Sequence, residues 1–410
     1  MSSLKYWIWL SSIGGIGPVT AALLLERFGT PENIFHAGER EYRESGVVRA
    51  ADIPKLSDKN VGDANRILAS CAGRGYRILT LQDADYPDRL RNIYDPPIVL
   101  YVRGRLPLID EEAVVGVVGT RDCTPYGISA AENIGYKLSR HGLIVATGLA
   151  RGVDSAVTRG ALRGGGRVVG VIGSGLDVTY PAGNEALFED VAASGAIVSE
   201  YPPGTPALKS HFPARNRIVS GISLGVAVVE APKRSGALIT ASRALEQGRD
   251  VFALPGNIDA RSCEGSNALL REGAIPILSA DDIIGEYAEL FPEKISKDIE
   301  APVTSDAVKS GGHASGAGAV REGKRNNTKK EIDNISPVDY IDLGKIRDEL
   351  RGDERAVAEA IGTGAALIDE IIIGSGLPAQ QVLTALTILE ISGYASRSAN
   401  GKWKLENGVP

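Results

Sequence analysis

The sequence predicts an α/β protein: a Rossmann-like, mostly parallel sheet with flanking helices, a small N-terminal helical domain and a C-terminal winged helix. Three observations lead there. Between residues 76 and 290, apolar runs of strand length alternate with helix-length segments. Those runs are near-continuously apolar rather than alternating, as expected of strands buried on both faces. The last 75 residues show three helical patterns followed by two short strand patterns around Asn400-Gly401, the order of a winged helix.

Composition sets the frame. The chain has 410 residues, 43% hydrophobic and 23% charged, with a formal net charge of −6. That suits two or three ordinary globular domains. Cys71, Cys123 and Cys263 lie far apart with no CxxC and no Cys/His pairing, which argues against a zinc site or a disulfide framework and for a cytoplasmic location. The apolar burst in "MSSLKYWIWLSSIGG" is too short for a membrane span and lacks a cleavage-site pattern.

Residues 1–75 read as short helices. "PVTAALLLERFG" has an apolar face and ends at Gly29; "PENIFHAG" starts at Pro31 and closes at Gly38; "SDKNVGDANRILASCAGRG" reads as a helix capped by Ser57 and stopped at Gly73. Gly15-x-Gly17-x-x-x-Ala21 has helix-hairpin-helix spacing, but Arg27 is the only nearby base, so packing competes with DNA contact.

In residues 76–290 the expected strands are "RILTL", "AVVGVVGT", "LIVATGLA", "RVVGVIGSG", "AIVSEY", "LGVAVVEA", "DVFALPG" and "AIPIL". Helices are expected in "YGISAAENIGYKLSRHG", "DSAVTRGALRGG", "NEALFEDVAASG", "SGALITASRALEQG", "SNALLREG" and "ADDIIGEYAEL"; "YPDRLRNIYDPPIVLYVRG" reads as an irregular lead-in. Residues 291–335, rich in Gly, Ser, Ala and Lys, read as a flexible linker. In 336–410 the helices are "RAVAEAIG", "AALIDEIIIGSG" and "PAQQVLTALTILEISG", the last opened by Pro378. This third helix has no Lys or Arg, so a protein contact or a structural role fits better than groove reading.

The chemistry gathers at strand ends. Gly119, Thr120 and Arg121 end one strand, Gly148 the next, Gly173 and Gly175 a third. In open α/β sheets this edge binds ligands, and the following helix N-termini favour anions. The alternative for each glycine is a tight turn. No GxGxxG follows the first strand, so no dinucleotide cofactor is expected, and no metal either. "KSHFPARNRIVSG" follows "AIVSEY" through a Pro-rich loop, at the same edge. It gathers Lys209, Arg215 and Arg217 around Phe212, beside Asn216, with no carboxylate in the segment. Phosphates suit such cations and an unstacked base suits Phe212, which favours single-stranded over duplex DNA. The competing reading pairs the arginines with carboxylates elsewhere. Ser235-Gly236 opens a helix and makes another anion site. None of His36, His141, His211 and His313 has triad spacing, so Ser235 reads as a cap and not a nucleophile. Glu200, Glu230 and Asp177 read as pairing partners rather than general acids.

The stretches "VVGTRDCTPYG", "ATGLARGVDSAVTRGAL", "VIGSGLDVTYPAGN", "HFPARNRIVSGIS", "VVEAPKRSGALITASRALEQGRDVFALPG" and "EGSNALLREGA", in this order and spacing, resemble the DprA/Smf family of bacterial natural transformation. The resemblance implies a non-enzymatic protein that binds and protects incoming single-stranded DNA. It also implies loading of the recombinase RecA, displacement of or sharing with single-strand-binding protein, and a homodimer formed through the Rossmann-like domain. By motif it assigns Arg121, Lys209 and Phe212 to the DNA pocket, supported by Asn216, Arg217, Ser235 and Gly236. The enzyme alternative is a lysine-decarboxylase-like phosphoribohydrolase. Its PGGxGTxxE motif is absent: Glu246 sits well down the corresponding helix. A third reading, a ligand-sensing regulator gripping duplex DNA, needs a basic third helix in the tail.

Overall fold

The structure, a computed structural model, describes residues 3–296, 352–361, 365–392, 394–397 and 402–405. Two units are present, Met1–Ala307 and Val308–Pro410.

In the first unit six helices come first: α1 (Leu4–Ser12), α2 (Pro18–Phe28), α3 (Pro31–His36), α4 (Glu39–Ser45), α5 (Ile53–Ser57) and α6 (Gly62–Arg74). Pro18 and Pro31 open their helices, where a missing N–H costs nothing. Ser57 is not a cap. It is the last residue of α5, and its hydroxyl donates to Ile53 O at 3.1 Å. The following helix starts only at Gly62 and runs past Gly73, stopping at Gly75, whose φ of 68° supplies the left-handed cap.

These helices pack around Trp9, Phe35 and Tyr42, and Lys59 threads among the three rings. Its Nζ lies 5.4, 5.5 and 4.9 Å from their centroids and donates to Ala37 O at 3.1 Å. Burial pushes the Lys59 ammonium down to about 8, against the pull of Glu41. The unfolded chain then holds this proton up to about pH 10.4 while the folded chain releases it near 8, so stability rises with pH across that interval. Tyr42, pushed up to about 12 by burial, acts in the opposite sense above pH 10. Between pH 8 and 10 the melting temperature of the protein is expected to climb relative to that of Lys59→Met. A constant difference across that range would contradict the assignment.

The Rossmann-like part carries nine strands: β1 (Arg77–Thr80), β2 (Val99–Gly104), β3 (Val114–Val118), β4 (Ile144–Thr147), β5 (Val168–Ile172), β6 (Ala196–Ser199), β7 (Gly225–Val228), β8 (Asp250–Ala253) and β9 (Ile275–Pro276). Their order is β1-β2-β6-β5-β4-β3-β7-β8-β9. From β6 to β9 all neighbours are parallel; β1–β2 and β2–β6 are antiparallel. The lead-in before residue 105 thus holds a strand, β2, and a short helix, α7 (Asp88–Arg91). The remaining helices are α8 (Pro125–Arg140), α9 (Val153–Arg163), α10 (Glu185–Ser194), α11 (His211–Gly221), α12 (Gly236–Glu246), α13 (Glu264–Arg271) and α14 (Ala280–Ala288).

Strand residues alternate between two apolar layers, as period-2 geometry requires. Val115, Val145, Ile197 and Phe252 join the layer that continues into the N-terminal helices; Val114, Ile144, Val198 and Val251 join the layer beneath α11 and α12. Chain order runs outward from β3 in both directions, so the switch point falls between β3 and β7, where such sheets open a crevice.

The second unit holds α15 (Asp353–Ile361), β10 (Ala365–Ala366), α16 (Ile368–Ser375), α17 (Ala379–Ile391), β11 (Ala395–Arg397) and β12 (Trp403–Leu405). The strands form an antiparallel sheet, β10-β12-β11. Ala365 and Ala366 therefore belong to a strand and not to the helix expected there. Val357, Ile371, Val382, Leu386 and Trp403 make its core. The Asn400-Gly401 turn and linker residues 297–335 lie outside the described residues.

Candidate single-stranded nucleic-acid interface

A cleft of about 410 Å³ opens at the β3/β7 switch point. Gly119, Thr120 and Arg121 reach it from β3, Gly148 from β4, Phe212, Arg215 and Asn216 from α11, and Ser235 and Gly236 from the start of α12. Thr120 N–H donates to Glu230 O at 2.7 Å, tying the β3 loop to the end of β7. Asn216 Nδ2 donates to Gly236 O at 3.2 Å and joins α11 to the first turn of α12. Ser235 Oγ accepts from Ala237 N–H at 3.2 Å, so Ser235 is a cap.

The exposed end of the cleft is cationic and aromatic. The Arg121 guanidinium sits 5.1 Å from the Phe212 ring centroid, and Phe212 rests against Tyr180 at 5.3 Å. Arg121 is exposed and makes no ion pair among the described residues. Behind this rim, His211 stacks on Tyr201 at 3.9 Å and 12°, with Nδ1 3.1 Å from Gly173 O.

Deeper in, Arg215 is 4% exposed and donates from Nη1 to Val171 O. Its Nε meets no acceptor among the described residues. Burial pushes Arg215 down to about 10, with Asp154 opposing the shift. Burial likewise raises the Asp154 carboxyl, with Arg215 and the Ala150 N–H holding it back. Gly148 makes room for this arginine: a Cβ there would lie 2.4 Å from Arg215 Nη2. Gly148→Ala is therefore expected to displace a side chain that has nowhere to go, costing about 1–3 kcal/mol. Thermal unfolding beside oligonucleotide titration would show both losses; normal values in both would remove the steric role.

The structure places some of the expected site residues outside the cleft lining. The segment's arginines find acidic partners elsewhere in the fold, which is the competing reading. Arg217, 3% exposed, is held by Glu200 through two bonds of 2.7 and 3.0 Å and by Asp95 at 3.2 Å, so it faces away from the cleft. Gly173 and Gly175 do not line the cleft; their loop packs against His211 and the Pro202–Gly204 backbone. Lys209 is exposed just before α11 and also lies outside the lining. The three carboxylates are internally bonded: Glu200 as described, Asp177 to Arg74 at 3.5 Å and Gly204 N–H at 2.7 Å, Glu230 to the amide and hydroxyl of Thr124 at 2.9 and 2.7 Å. Glu230 thereby fills the N-terminus of α8, while that of α12 is capped by its own Ser235 and its first residue, Gly236, is exposed, with nothing within 4 Å of a Cβ built on it.

Sequence reasoning missed Arg234, which lines the cleft beside exposed Lys233, and Tyr180. The "PKRSG" run carried the first signal, a basic pair directly before a helix cap; Tyr180 had no local signal.

The family model for DNA recombination-mediator protein A matches residues 77–288, and that for the DprA winged helix domain matches 346–401. A putative DNA processing protein DprA of Mycobacterium tuberculosis is 35% identical over 408 residues, covering 95% of this chain and 88% of that protein. Protein Smf of Synechocystis is 39% identical over 298 residues, 70% of this chain and 74% of that one. The X-ray structure of DprA from Streptococcus pneumoniae superposes with a TM-score of 0.60 at 34% identity, covering 69% of this chain and 97% of that chain. Sequence, sheet and winged helix agree, and the chain belongs to the DprA/Smf family of DNA-processing proteins.

Proposed function

We propose that the protein binds single-stranded DNA along this cleft without cutting it, protects it, and passes it to the recombinase RecA during natural transformation or recombination. The observation that carries the reading is the exposed Arg121 laid on Phe212 beside the bare Gly236 at the start of α12. A phosphate takes the guanidinium and the helix end; an unpaired base takes the ring. Duplex DNA offers no free base face to Phe212. The internal bonding of Glu200, Glu230 and Asp177 supports a binding role over a catalytic one. For the phosphoribohydrolase alternative, Glu246 ends α12 paired with Arg243 at 2.6 Å, at the opposite end of the helix from the cleft.

Single-strand-binding protein as a competitor, a homodimer and a cytoplasmic location belong to the same reading. No helix among the described residues is long and apolar enough to cross a membrane. Titration with single-stranded DNA, duplex DNA and a mononucleotide at two salt concentrations tests the proposal. Single strands are expected to bind tightest, with affinity falling linearly in log salt. Preference for duplex or for mononucleotide would overturn it. Faster assembly of RecA on strands coated with single-strand-binding protein tests the transfer step.

A further inference from the structure

A second pocket of about 530 Å³ lies beside the cleft, and Pro213 and Ile239 line both. Its other walls include Ile16, Gly17 and Pro18 of the α1–α2 hairpin, Ala214 of α11, and the ion-paired Asp95, Glu200 and Arg217. Pro213, Ala214 and Ile239 are exposed, so the ridge between the two hollows is bare apolar surface in an otherwise well-buried region. Arg243, with a side chain 43% exposed, also lines the pocket.

We propose that this pocket receives a nucleobase of the same strand that lies in the cleft, so that the N-terminal hairpin contacts a base and not a phosphate. This rests on the single-strand reading above. Continuity carries it. Pro213, the residue after Phe212, and Ile239 line both hollows, so a strand stacked on Phe212 meets the second hollow across one shared ridge. The chemistry matches as well. The hairpin wall offers apolar side chains, which suits the face of a base, while Arg243, held by Glu246 in a solvent-exposed pair, can exchange that partner for the phosphate that follows.

Gly17 and Ala214 provide the test from opposite walls. Gly17 is exposed with φ −80°, and a Cβ there meets nothing within 4 Å, so Gly17→Trp fills the pocket without backbone strain. Ala214→Trp enters from α11. Affinity is measured for the dinucleotide pTpT and for an oligothymidylate of about ten residues, with Arg121→Ala alongside and thermal unfolding as a fold check. Both tryptophan variants are expected to bind pTpT normally yet to lose about ten-fold for the longer strand. Arg121→Ala is expected to weaken both ligands. If both filled variants bind the longer strand as tightly as the parent while Arg121→Ala fails, the second pocket takes no base and the cleft stands. If Arg121→Ala also binds both normally, the cleft reading itself falls.

Discussion

Replacing Arg121 and Lys209 together by alanine is expected to abolish single-strand binding at moderate salt while leaving the melting temperature unchanged. Both side chains are exposed, and neither has an ion-pair partner among the described residues, so truncation orphans no buried charge. What is lost is the Arg121 contact inside the cleft and the contact of exposed Lys209 to a phosphate just outside it, each about 1.5–3 kcal/mol. Together they amount to at least about a hundred-fold in affinity. The salt dependence carries a second signature. Each phosphate contact on a single strand adds about 0.7 to the slope of log affinity against log salt, so the double variant should bind with a slope shallower by about 1.4. Phe212→Ala separates the two components. It should cost about 1–3 kcal/mol, the loss of one stacked base, and leave the salt slope alone. Retained affinity and an unchanged slope in the double variant would mean the strand runs elsewhere.

Much of the scaffold was legible because the parallel strands are written as short, mostly apolar runs, those of β3, β4 and β5 closed by glycine. β3, β4, β5 and β7 fall inside the runs that predicted them, as does α12 inside its own, while α8 begins one residue earlier than its run, at Pro125. β2 was obscured by the prolines ahead of it, although its own Val99, Leu100, Tyr101 and Val102 are buried. Ser57 misled because a cap signal is local, whereas the end of α5 is set by packing of Ile53 and Leu56 in the core. In the site, residue types were legible and partners were not. Arg215 and Arg217 stand two apart in a cationic run, and nothing local says that Asp154, Glu200 and Asp95 will come to meet them. Those carboxylates arrive from 122 residues away in one case and from across the sheet in another. The open edge was legible for the converse reason: glycines and a cap before α12 act locally.

Arg217 should prove to be a structural residue, and Arg217→Ala should show it by unfolding early rather than by binding weakly. Its side chain is 4% exposed and joined to two carboxylates, with Glu200 19% and Asp95 26% exposed. It also donates to Ala214 O and Asp95 O, both at 2.9 Å, fastening α11 to the segment before β2. Truncation leaves two neighbouring anions without a counterion, a loss of about 3–5 kcal/mol when one partner of a buried pair is removed. In a unit of this size that is roughly 6–20 °C in melting temperature. Glu200→Gln should cost less, since it removes an anion together with the charged bonds and leaves Asp95 to balance the arginine. Arg217→Lys keeps the charge but not the two parallel bonds to Glu200, so it should fall between parent and alanine. Partial screening separates this pair from Arg121: added salt should weaken DNA binding steeply while changing the cost of Arg217→Ala little. A folded Arg217→Ala protein with parental melting and a shallower salt slope would instead make Arg217 a phosphate contact, and internal pairing would cease to explain its burial.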